Sequence, residues 1–363
     1  MAYGILDTKY IDFPPNVDQS YLRGLQTRGG VSFATVLSEI DARLGTLNAS
    51  LDPLVANLMT VTTEAYTEDG APVAFEVTER GEYTLARPQL VEGQGLMIPL
   101  RSYDVSIGFT EDGLERMSQE RIMRNVDSVL LGLRRLHKVQ ALTRLFSNAE
   151  IRVATNTTAT SPGFAGSGTG DNVFSRPYPD GTALPGGYTH YYVANTSTTG
   201  EFESKIEAMI ARLALWHTPP FDLVGSSAAI TAVKALTNFV SAGSALIRQG
   251  VGISEAMVDA ATYAGVYQSA GGHDVRVRVP LLETTSNNLA IFKSYGALAP
   301  NNPLVWRYDP LVGRNAVLRY RSLYPLDQAV VKQDFGIGVN DRTTAALLYF
   351  GAGATVYTVP TWS

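Results

Sequence analysis

The segment 60–108 most constrains how this chain can fold, because it alternates β-branched or aromatic residues with charged ones along nearly its whole length. Asp69-Gly70 and Gly93 mark turns within it. The alternation predicts a long β-hairpin that is polar on both faces. Such a hairpin buries too little apolar surface to be stable alone in water. It therefore has to lie on another surface, either in its own subunit or in a neighbouring one.

The N-terminal segment is predicted to be an extended arm followed by a helix. The Pro14-Pro15 pair cannot sit inside a helix and favours an extended backbone. Apolar residues then recur at helical spacing, namely Phe33, Val36, Leu37, Ile40 and Leu44. Because this arm has little core of its own, it is expected to pack on something else. Simple terminal disorder is the alternative.

The strongest helix signal follows the hairpin. Asp112-Gly113-Leu114-Glu115 fits a capping box, in which the Asp112 side chain accepts a backbone N–H and Glu115 reaches back. One apolar face comes next, formed by Ile122, Val126, Val129, Leu130, Leu133 and Leu136. A helix from 112 to about 146 would be roughly 50 Å long, with Gly132 as the point where it could bend.

The rest of the chain divides into a loop and a second compact unit. Residues 151–200 are rich in Thr, Ser, Gly, Asn and Pro, and this predicts a long irregular loop. From Glu201 onward, apolar residues between Phe202 and Trp216 form one face of a helix. The segments that follow are predicted to be a strand at Phe221–Val224, a helix at Ser227–Phe239, and strands at Val275–Val279, Leu289–Phe292 and Leu304–Tyr308. The part from Asn315 to the C-terminus is again rich in strand formers.

Composition narrows the function classes. Only 17% of the 363 residues are charged, as expected when other subunits or domain contacts cover much of the surface. The net charge of −5 provides no global basic field for nucleic acid. The absence of cysteine removes disulfides, thiol nucleophiles and the common structural zinc sites. With no signal peptide and no long apolar stretch, the chain is expected to have no membrane contact and to be made in a cytoplasm.

The titratable residues form no pattern typical of a catalytic or metal-binding site. None of the four histidines, His137, His190, His217 and His273, lies at metal-ligand spacing with another. His137 is predicted to be a surface residue of the long helix, and His217 to have a capping or dipole-facing role at a helix end. Residues 166–171, GSGTGD, imitate a phosphate-binding loop but lack the flanking strand and helix, so a surface loop is predicted. The sequence thus predicts no catalytic residue, no cofactor and no metal.

The order of elements is the most informative signal: an arm, a polar hairpin, a long helix, an irregular loop, a compact α/β unit and returning strands. In this order the chain resembles the major capsid proteins of tailed bacteriophages, which have the Hong Kong 97 capsid fold, an α+β fold. The resemblance covers essentially the whole chain and is carried by architecture rather than by a diagnostic motif. The hairpin running into FTEDGLERMSQ supports it most. The closing TTAALLYFGAGATVYTVP also looks like that family's final strand of the axial domain.

The resemblance implies a domain for each segment. The expected domains are an N-terminal arm at 1–57, an extended loop (the β-hairpin) at 58–108, a peripheral domain at 109–200 and 305–345 with the spine helix and an inserted loop, and an axial domain at 201–304 and 346–363.

The resemblance also implies a structural function. The chain would self-assemble into hexamers and pentamers of an icosahedral phage head that encloses double-stranded DNA, and it would be found in the virion after assembly in the host bacterial cytoplasm. In this family arms and extended loops lie across neighbouring subunits. The candidates for inter-subunit contacts in the loop are Phe75, Arg80, Tyr83 and Arg87, because aromatic and arginine side chains anchor interfaces.

Two departures from the family shape the expected partners. No lysine lies between Lys9 and Lys138, so cross-linking through a loop lysine is excluded and non-covalent contacts must hold the shell. The arm begins at Met1 with too little helical sequence for a built-in scaffolding domain, so a separate scaffolding protein is expected. A portal and a decoration protein are further partners that the resemblance allows. Packaged DNA is expected to touch the inner face sparsely and without sequence preference.

Alternative functions remain open at this level. An encapsulin-like nanocompartment shell shares the fold but encloses a protein cargo, and genes beside it would encode a cargo enzyme rather than a terminase and portal. An enzyme using residues 151–200 as a lid is an alternative from another class, but it lacks a convergent acid–base set. A tail or decoration protein fits the long helix poorly.

Overall fold

The structure is a computed structural model, and it describes residues 9–13, 24, 26–49, 51–68, 95–110, 116–148, 151–153, 156–161, 164–165, 178, 190–242, 263–278, 287–311, 313–323 and 326–362. The chain divides into two compact units. Unit 1 contains residues 1–56, 99–140 and 306–336, and unit 2 contains residues 57–98, 141–305 and 337–363.

The described helices and strands are as follows. The helices are α1 (Phe33–Ala49), α2 (Pro53–Leu58), α3 (Gln119–Phe146), α4 (Glu201–Ala214) and α5 (Ser227–Lys234). The strands are β1 (Ile11–Asp12), β2 (Met59–Thr62), β3 (Tyr66–Glu68), β4 (Gly95–Met97), β5 (Arg101–Thr110), β6 (Ile151–Val153), β7 (Asn156–Ser161), β8 (Tyr191–Asn195), β9 (Phe221–Gly225), β10 (Phe239–Ser241), β11 (Tyr263–Gln268), β12 (Asp274–Arg278), β13 (Asn288–Phe292), β14 (Leu304–Tyr308), β15 (Val317–Leu323), β16 (Leu326–Val339) and β17 (Ala345–Gly351).

The core of unit 1 lies between helices α1 and α3 and a sheet. In the sheet, β1 pairs parallel with β15, and β16 pairs antiparallel with both β15 and β5. The buried residues of α1 include the five apolar residues that the sequence places on its inner face, and that prediction is confirmed. They pack with buried residues of α3 and of the strands, among them Ile122, Val126, Leu133 and Leu318.

The described part of the N-terminal arm lies on α1 of the same chain. The Asp41 carboxylate accepts hydrogen bonds from the backbone N–H groups of Lys9 and Tyr10, at 3.1 and 2.6 Å. The Tyr10 ring passes so close to the helix that a Cβ at Gly45 would lie 3.2 Å from it. The expectation that the arm packs on something else is therefore met, for these residues, within its own subunit.

The long helix begins later than the sequence predicts. Asp112 lies outside the described residues, and the chain leaves helical geometry at Met117 and Ser118, so an unbroken helix from 112 is wrong. The Ser118 carbonyl accepts hydrogen bonds from the N–H groups of Arg121 and Ile122, so Ser118 is the N-cap residue of the helix. Serine is one of the residues preferred at this position. The Met117 carbonyl accepts a hydrogen bond from the Arg28 N–H at 3.2 Å. The remaining helix of 28 residues passes through Gly132 without interruption and is about 42 Å long.

The hairpin prediction is correct at its base and too long at its end. Strands β3 and β4 pair antiparallel, with Tyr66 opposite Met97, as a hairpin requires. The segment 69–94 between them lies outside the described residues. Residues 101–110 do not return along the hairpin but form β5, which pairs with β16 over ten consecutive residue pairs.

Unit 2 is built on a seven-stranded mixed sheet with the order β10-β11-β12-β9-β13-β17-β8. Its central strands are apolar on both faces, and every residue of β13 is buried. Helices α4 and α5 contribute Ile206, Met209, Ile230 and Val233 to a core with the inward residues of the strands. The strands predicted at Phe221–Val224, Leu289–Phe292 and Leu304–Tyr308 are confirmed within one residue at each end.

Two predictions for unit 2 are wrong in part. The segment 151–200 is not irregular throughout, because β6 and β7 form an antiparallel pair and β8 is an edge strand beside β17. The helix predicted from Ser227 to Phe239 ends at Lys234, and Phe239 begins β10. The Leu236 N–H bonds the Val233 carbonyl in a tight final turn, and the chain then pairs with β11.

Candidate assembly surfaces

The four predicted contact residues, Phe75, Arg80, Tyr83 and Arg87, lie outside the described residues. The described parts of units 1 and 2 carry other surfaces and side-chain clusters on which a partner could bind.

Unit 1 carries a groove between α1 and α3. Its volume is about 400 Å³, and it is lined by Arg43, Thr46, Asp127, Leu130, Leu131 and Arg134. The Arg43 guanidinium bridges Asp127 of α3 and Glu39 of its own helix, and hydrogen bonds to these two carboxylates raise the pKa of Arg43. Leu131 is 63% exposed, which is unusual for a large apolar side chain on a helix packed in a core.

The outer face of α3 is basic. Arg121, Arg124 and Arg135 lie on one helical stripe and are exposed. Glu120 lies 3.9 Å from Arg124, and both side chains are more than 70% exposed. A pair this open to water contributes little, so the Arg124 guanidinium remains accessible to another anion.

His137 contradicts its prediction as a surface residue. The side chain is buried, and its Nε2 lies 2.6 Å from Gln333 Oε1. The ring packs edge-on against Trp306 and Phe335, with centroid distances of 4.9 and 5.3 Å. Burial lowers the pKa of His137, because the charged imidazolium is disfavoured away from water. Its place four residues after Leu133, on the apolar face of α3, was the sequence signal for burial.

A cluster of cations surrounds one carboxylate in unit 2. Asp222 of β9 is fully buried, and it accepts Arg276 Nε at 2.6 Å and Arg278 Nη2 at 2.7 Å. Both guanidinium groups also lie over the Tyr263 ring, 5.4 and 5.2 Å from its centroid. Lys293 lies close enough that burial, and after it the charge of Arg276, lowers the pKa of its ammonium group.

Acidic side chains gather elsewhere in the same unit. The Tyr267 hydroxyl donates to Glu207 at 2.5 Å and lies 3.5 Å from Glu203. The Glu207 carboxylate also accepts the Ala270 N–H at 3.2 Å. Burial, and after it the Glu207 carboxylate, raises the pKa of Tyr267. Burial also raises the pKa of Asp274, which lies at the same end of the sheet.

A third network joins His217, Thr343 and Asp341 in unit 2. His217 Nε2 lies 3.2 Å from Thr343 Oγ1, which donates to Asp341 Oδ1 at 2.6 Å. The His217 Nδ1 lies 2.5 Å from the Tyr295 hydroxyl. Thr343 is only 1% exposed, so its hydroxyl is sealed from solvent and its two described partners lie in the same unit. The described hydrogen bonds of the His217 side chain go to Tyr295 and Thr343, and its backbone N–H bonds the Leu213 carbonyl, so the capping or dipole-facing role of this side chain stays a prediction.

Sequence reasoning missed the Asp222 cluster. The available signal was the DVRVR pattern of β12, in which Arg276 and Arg278 share one face of a strand and Val275 and Val277 the other. An aspartate inside the apolar run FDLVG of β9 was the second signal. Neither element alone shows that the two strands are neighbours, which follows only from the sheet order.

In the part of the chain that the structure describes, no group of three or more His, Cys, Asp or Glu side chains is arranged to hold a metal ion. Across the same residues, no helix is both long enough and apolar enough to cross a membrane.

Comparison with known proteins points to one fold. A chain of Mycobacterium phage Patience matches with a TM-score of 0.58 at 19% identity, covering 96% of this chain and 97% of that one. The mature capsid of bacteriophage PhiM1 matches with a TM-score of 0.46 at 10% identity, over 83% and 88% of the two chains. The SrpI encapsulin of Synechococcus elongatus matches with a TM-score of 0.43 at 10% identity, over the same shares. No protein-family model matches the sequence, and comparison with curated proteins finds no relative.

The match to the Patience chain spans nearly the whole of both chains. The predicted fold class, the α+β Hong Kong 97-type capsid fold, is thereby confirmed. At 19% identity the likeness is one of fold.

Proposed function

We propose that this chain is the major capsid protein of a tailed bacteriophage, a structural protein that assembles into hexamers and pentamers of an icosahedral head around double-stranded DNA. The observation that carries the proposal is the full-length match in fold to a chain of a mycobacterial phage. The proposed function is not enzymatic.

The proposed domains follow the resemblance. The arm is residues 1–57 and the extended loop 58–108, the peripheral domain combines 109–200 with 305–345, and the axial domain combines 201–304 with 346–363. One observation supports the division between the peripheral and axial domains, because the core around α3 is separate from the core around the sheet of unit 2. The shared core of α1 and α3 joins the proposed arm to the peripheral domain, and β8, within 109–200, pairs with β17 in the sheet of unit 2.

Electron microscopy of the purified protein, with size-exclusion chromatography, tests the proposal directly. Closed polyhedral particles, or rings of five and six copies, are the expected result. A separate scaffolding protein is part of the proposal, so a sample that stays monomeric is mixed with the candidate scaffold. A chain that remains monomeric in both samples would sink the capsid assignment. Particles isolated from the native source that contain a protein cargo and no DNA would identify a nanocompartment shell instead.

Packaged DNA is a proposed partner of the arginine stripe on α3. Arg121, Arg124 and Arg135 are exposed along about 21 Å of helix, in a chain whose net charge is −5. Arginine binds phosphate oxygens through a planar, bidentate fork, and such contacts carry no sequence information. The stripe therefore fits sparse, non-specific contact with the DNA backbone.

The salt dependence of DNA binding tests this contact. Replacing Arg121, Arg124 and Arg135 with glutamine should make the negative slope of log K against log salt shallower by about 2.7, because each phosphate that an arginine neutralises contributes about −0.9 to that slope. Arg319, which is 44% exposed and lies 3.7 Å from Asp12, provides the control variant Arg319→Gln. An equal slope in the triple variant and the wild type would show that the stripe does not bind DNA.

A further inference from the structure

Among the described residues, the cluster around Asp222 in unit 2 carries a net positive charge. Arg276, Arg278 and Lys293 bring three positive charges, and the carboxylate that faces them is Asp222. Both oxygens of Asp222 are already bonded to the two arginines. The described contacts of the Lys293 ammonium are with neutral groups, since it lies 3.4 Å from the Pro220 carbonyl and 5.7 Å from the centroid of the Tyr295 ring. Among the residues that the structure describes, two positive charges are thus left in excess in a largely buried cluster.

This excess is costly in an isolated subunit. Charges removed from water are stable only when a partner of opposite sign compensates them. The cluster is nevertheless open to a partner, because the Arg276 side chain is 20% exposed and Lys293 is half-buried. A carboxylate arriving from outside would find guanidinium and ammonium donors already positioned. We call this cluster the basic end of unit 2.

The group of acidic side chains in unit 2 carries the opposite, negative net charge among the described residues. Glu203, Glu207 and Asp274 form no ion pair within the described chain, although all three are partly exposed. Their described hydrogen bonds come from neutral donors such as the Tyr267 hydroxyl and the Ala270 N–H. We call this group the acidic end of unit 2.

The two ends cannot neutralise each other within one copy. Asp274 begins β12 and Arg278 ends it, which separates them by about 13 Å along the strand. Glu203 and Glu207 also lie on the opposite side of the sheet from the two arginines, whereas Asp274 shares the arginine face of β12 and is separated from Arg278 by this distance alone. Val275 and Val277 pack in the core with Ile206 of α4, the helix that carries the acids, so Arg276 and Arg278 point to the other face.

We propose that the basic end of one copy of this chain binds the acidic end of the next, in a head-to-tail contact that repeats around a ring. The inference rests on the proposed function, because assembly supplies the second copy. A contact between two different patches closes into a ring when the rotation between copies is uniform. Opposite charges at the two patches set the direction of that ring and reject a reversed copy.

A second copy is favoured over DNA as the occupant. The site is compact and already holds a carboxylate, whereas a surface that follows a nucleic-acid backbone presents a row of exposed cations. The copies themselves supply carboxylates, since each has 34 acidic against 29 basic residues. A binding curve for duplex DNA that weakened in the Lys293 variants would favour the other partner and overturn the proposal.

The first test is Lys293→Gln, with Lys234→Gln as the matched control. Lys234 is exposed and lies in the same unit, so both variants lose one charge. Lys293→Gln should raise the subunit concentration needed for half-assembly by about tenfold or more. It should leave the melting temperature of unassembled subunits unchanged or higher, because a like-charge repulsion with Arg276 is removed. Assembly of Lys293→Gln at the wild-type concentration would overturn the proposal.

The second test is a charge exchange between copies. Lys293→Glu and Glu203→Lys should each assemble poorly alone. An equimolar mixture of the two should recover rings of six, in which the variants alternate and a reversed basic end always meets a reversed acidic end. Rings of five cannot alternate and should recover less. Glu203 is chosen since its one described hydrogen bond is long, at 3.5 Å. A mixture no better than its components would show that these ends do not meet.

Two controls separate the possible failures. If the wild type gives no particles with or without scaffold, the proposed function is wrong, and this result is independent of the contact between the basic and acidic ends. If inorganic phosphate raises the melting temperature of wild-type subunits but not of Lys293→Gln, while both assemble alike, a free oxyanion occupies the site and the second-copy proposal is wrong.

Discussion

Units 1 and 2 bury their apolar side chains in different ways. Unit 1 gathers three separate pieces of chain, and its helices α1 and α3 bury one face while exposing polar or basic residues on the other. Unit 2 centres on strands that are apolar on both faces, such as β13. The comparison teaches that local patterns reveal single elements in both units, whereas the assembly of either unit, each made of three segments, depends on pairings between distant parts of the chain.

The largest effect should come from opening the aromatic core of unit 1. Phe335 stacks on Trp306 and Tyr103, with ring centroids 4.6 Å apart in each pair. Phe335→Ala should lower the stability of unit 1 by about 3–5 kcal/mol, because it leaves a cavity among large rings. Hydrogen exchange followed by mass spectrometry should show the loss of protection in peptides of unit 1.

Phe292→Ala is the matched variant in unit 2, where Phe292 is fully buried in β13. Its loss should be of similar size but should appear in unit 2 peptides. If each variant lowered protection in both units equally, the chain would unfold as one cooperative body and the contrast between the units would disappear.

A polar anchor of unit 2 should give the next largest effect. Asn302 is fully buried, donates to the Met59 and Gly296 carbonyls at 2.9 Å, and accepts the Tyr295 N–H at 3.2 Å. Asn302→Ala should cost about 2 kcal/mol, because buried backbone groups lose their partners. Denaturant unfolding measures the loss. The neighbouring exposed residue gives the control Asn301→Ala, which should stay near the wild type, and an equal loss in both would contradict the prediction.

Acid should weaken unit 1 through His137. Because burial lowers the pKa of His137 in the folded state, the unfolded chain binds a proton more readily. The contribution to stability is complete above the ordinary histidine value of 6.5 and declines as the pH falls below it. His137→Leu should flatten the slope of stability against pH between 7 and 5, even though it loses the bond to Gln333. A slope unchanged by the substitution would mean that another group governs the acid response.

The smallest effect should come from the outer ion pair of unit 1. The Arg43 and Asp127 side chains are 34% and 46% exposed, so Asp127→Asn should cost at most about 1 kcal/mol. Asp52→Asn is the comparison, since its pair with Lys138 is more buried and asparagine keeps the cap on Leu54. Asp52→Asn should cost more in the same urea titration, and a larger loss for Asp127→Asn would reverse the expected order.

These contrasts match what the sequence could and could not predict. Helix α1 and strand β13 were readable, because their apolar residues follow the period of one element. The start of α3 was not, since the hydrogen bond between Arg28 and Met117 joins segments far apart in the sequence and favours Ser118 as the cap. The partner of β5 was equally hidden, because Thr110 pairs with Leu326 across more than half of the chain.

The candidate site shows the same limit. Sequence reasoning placed contact residues in the hairpin because arginine and aromatic residues anchor interfaces. It could not identify the basic end of unit 2, since Asp222 and Arg276 become neighbours only when β9 and β12 pair in parallel. The sequence could therefore indicate which residue types within a single element suit an interface. The net charge of a cluster formed by two strands could be found only once the order of strands in the sheet was known.

The double pairing of β16 has a consequence for how related chains can diverge. From Leu326 to Lys332 the strand is in register with β15 and β5 at once, with no bulge in either ladder. A one-residue insertion there would turn every following side chain to the opposite face against both neighbours. The length of this strand therefore fixes which side chains face the core in both ladders. Homologues should differ in this segment by substitution and keep its length, and insertions should occur beyond its ends.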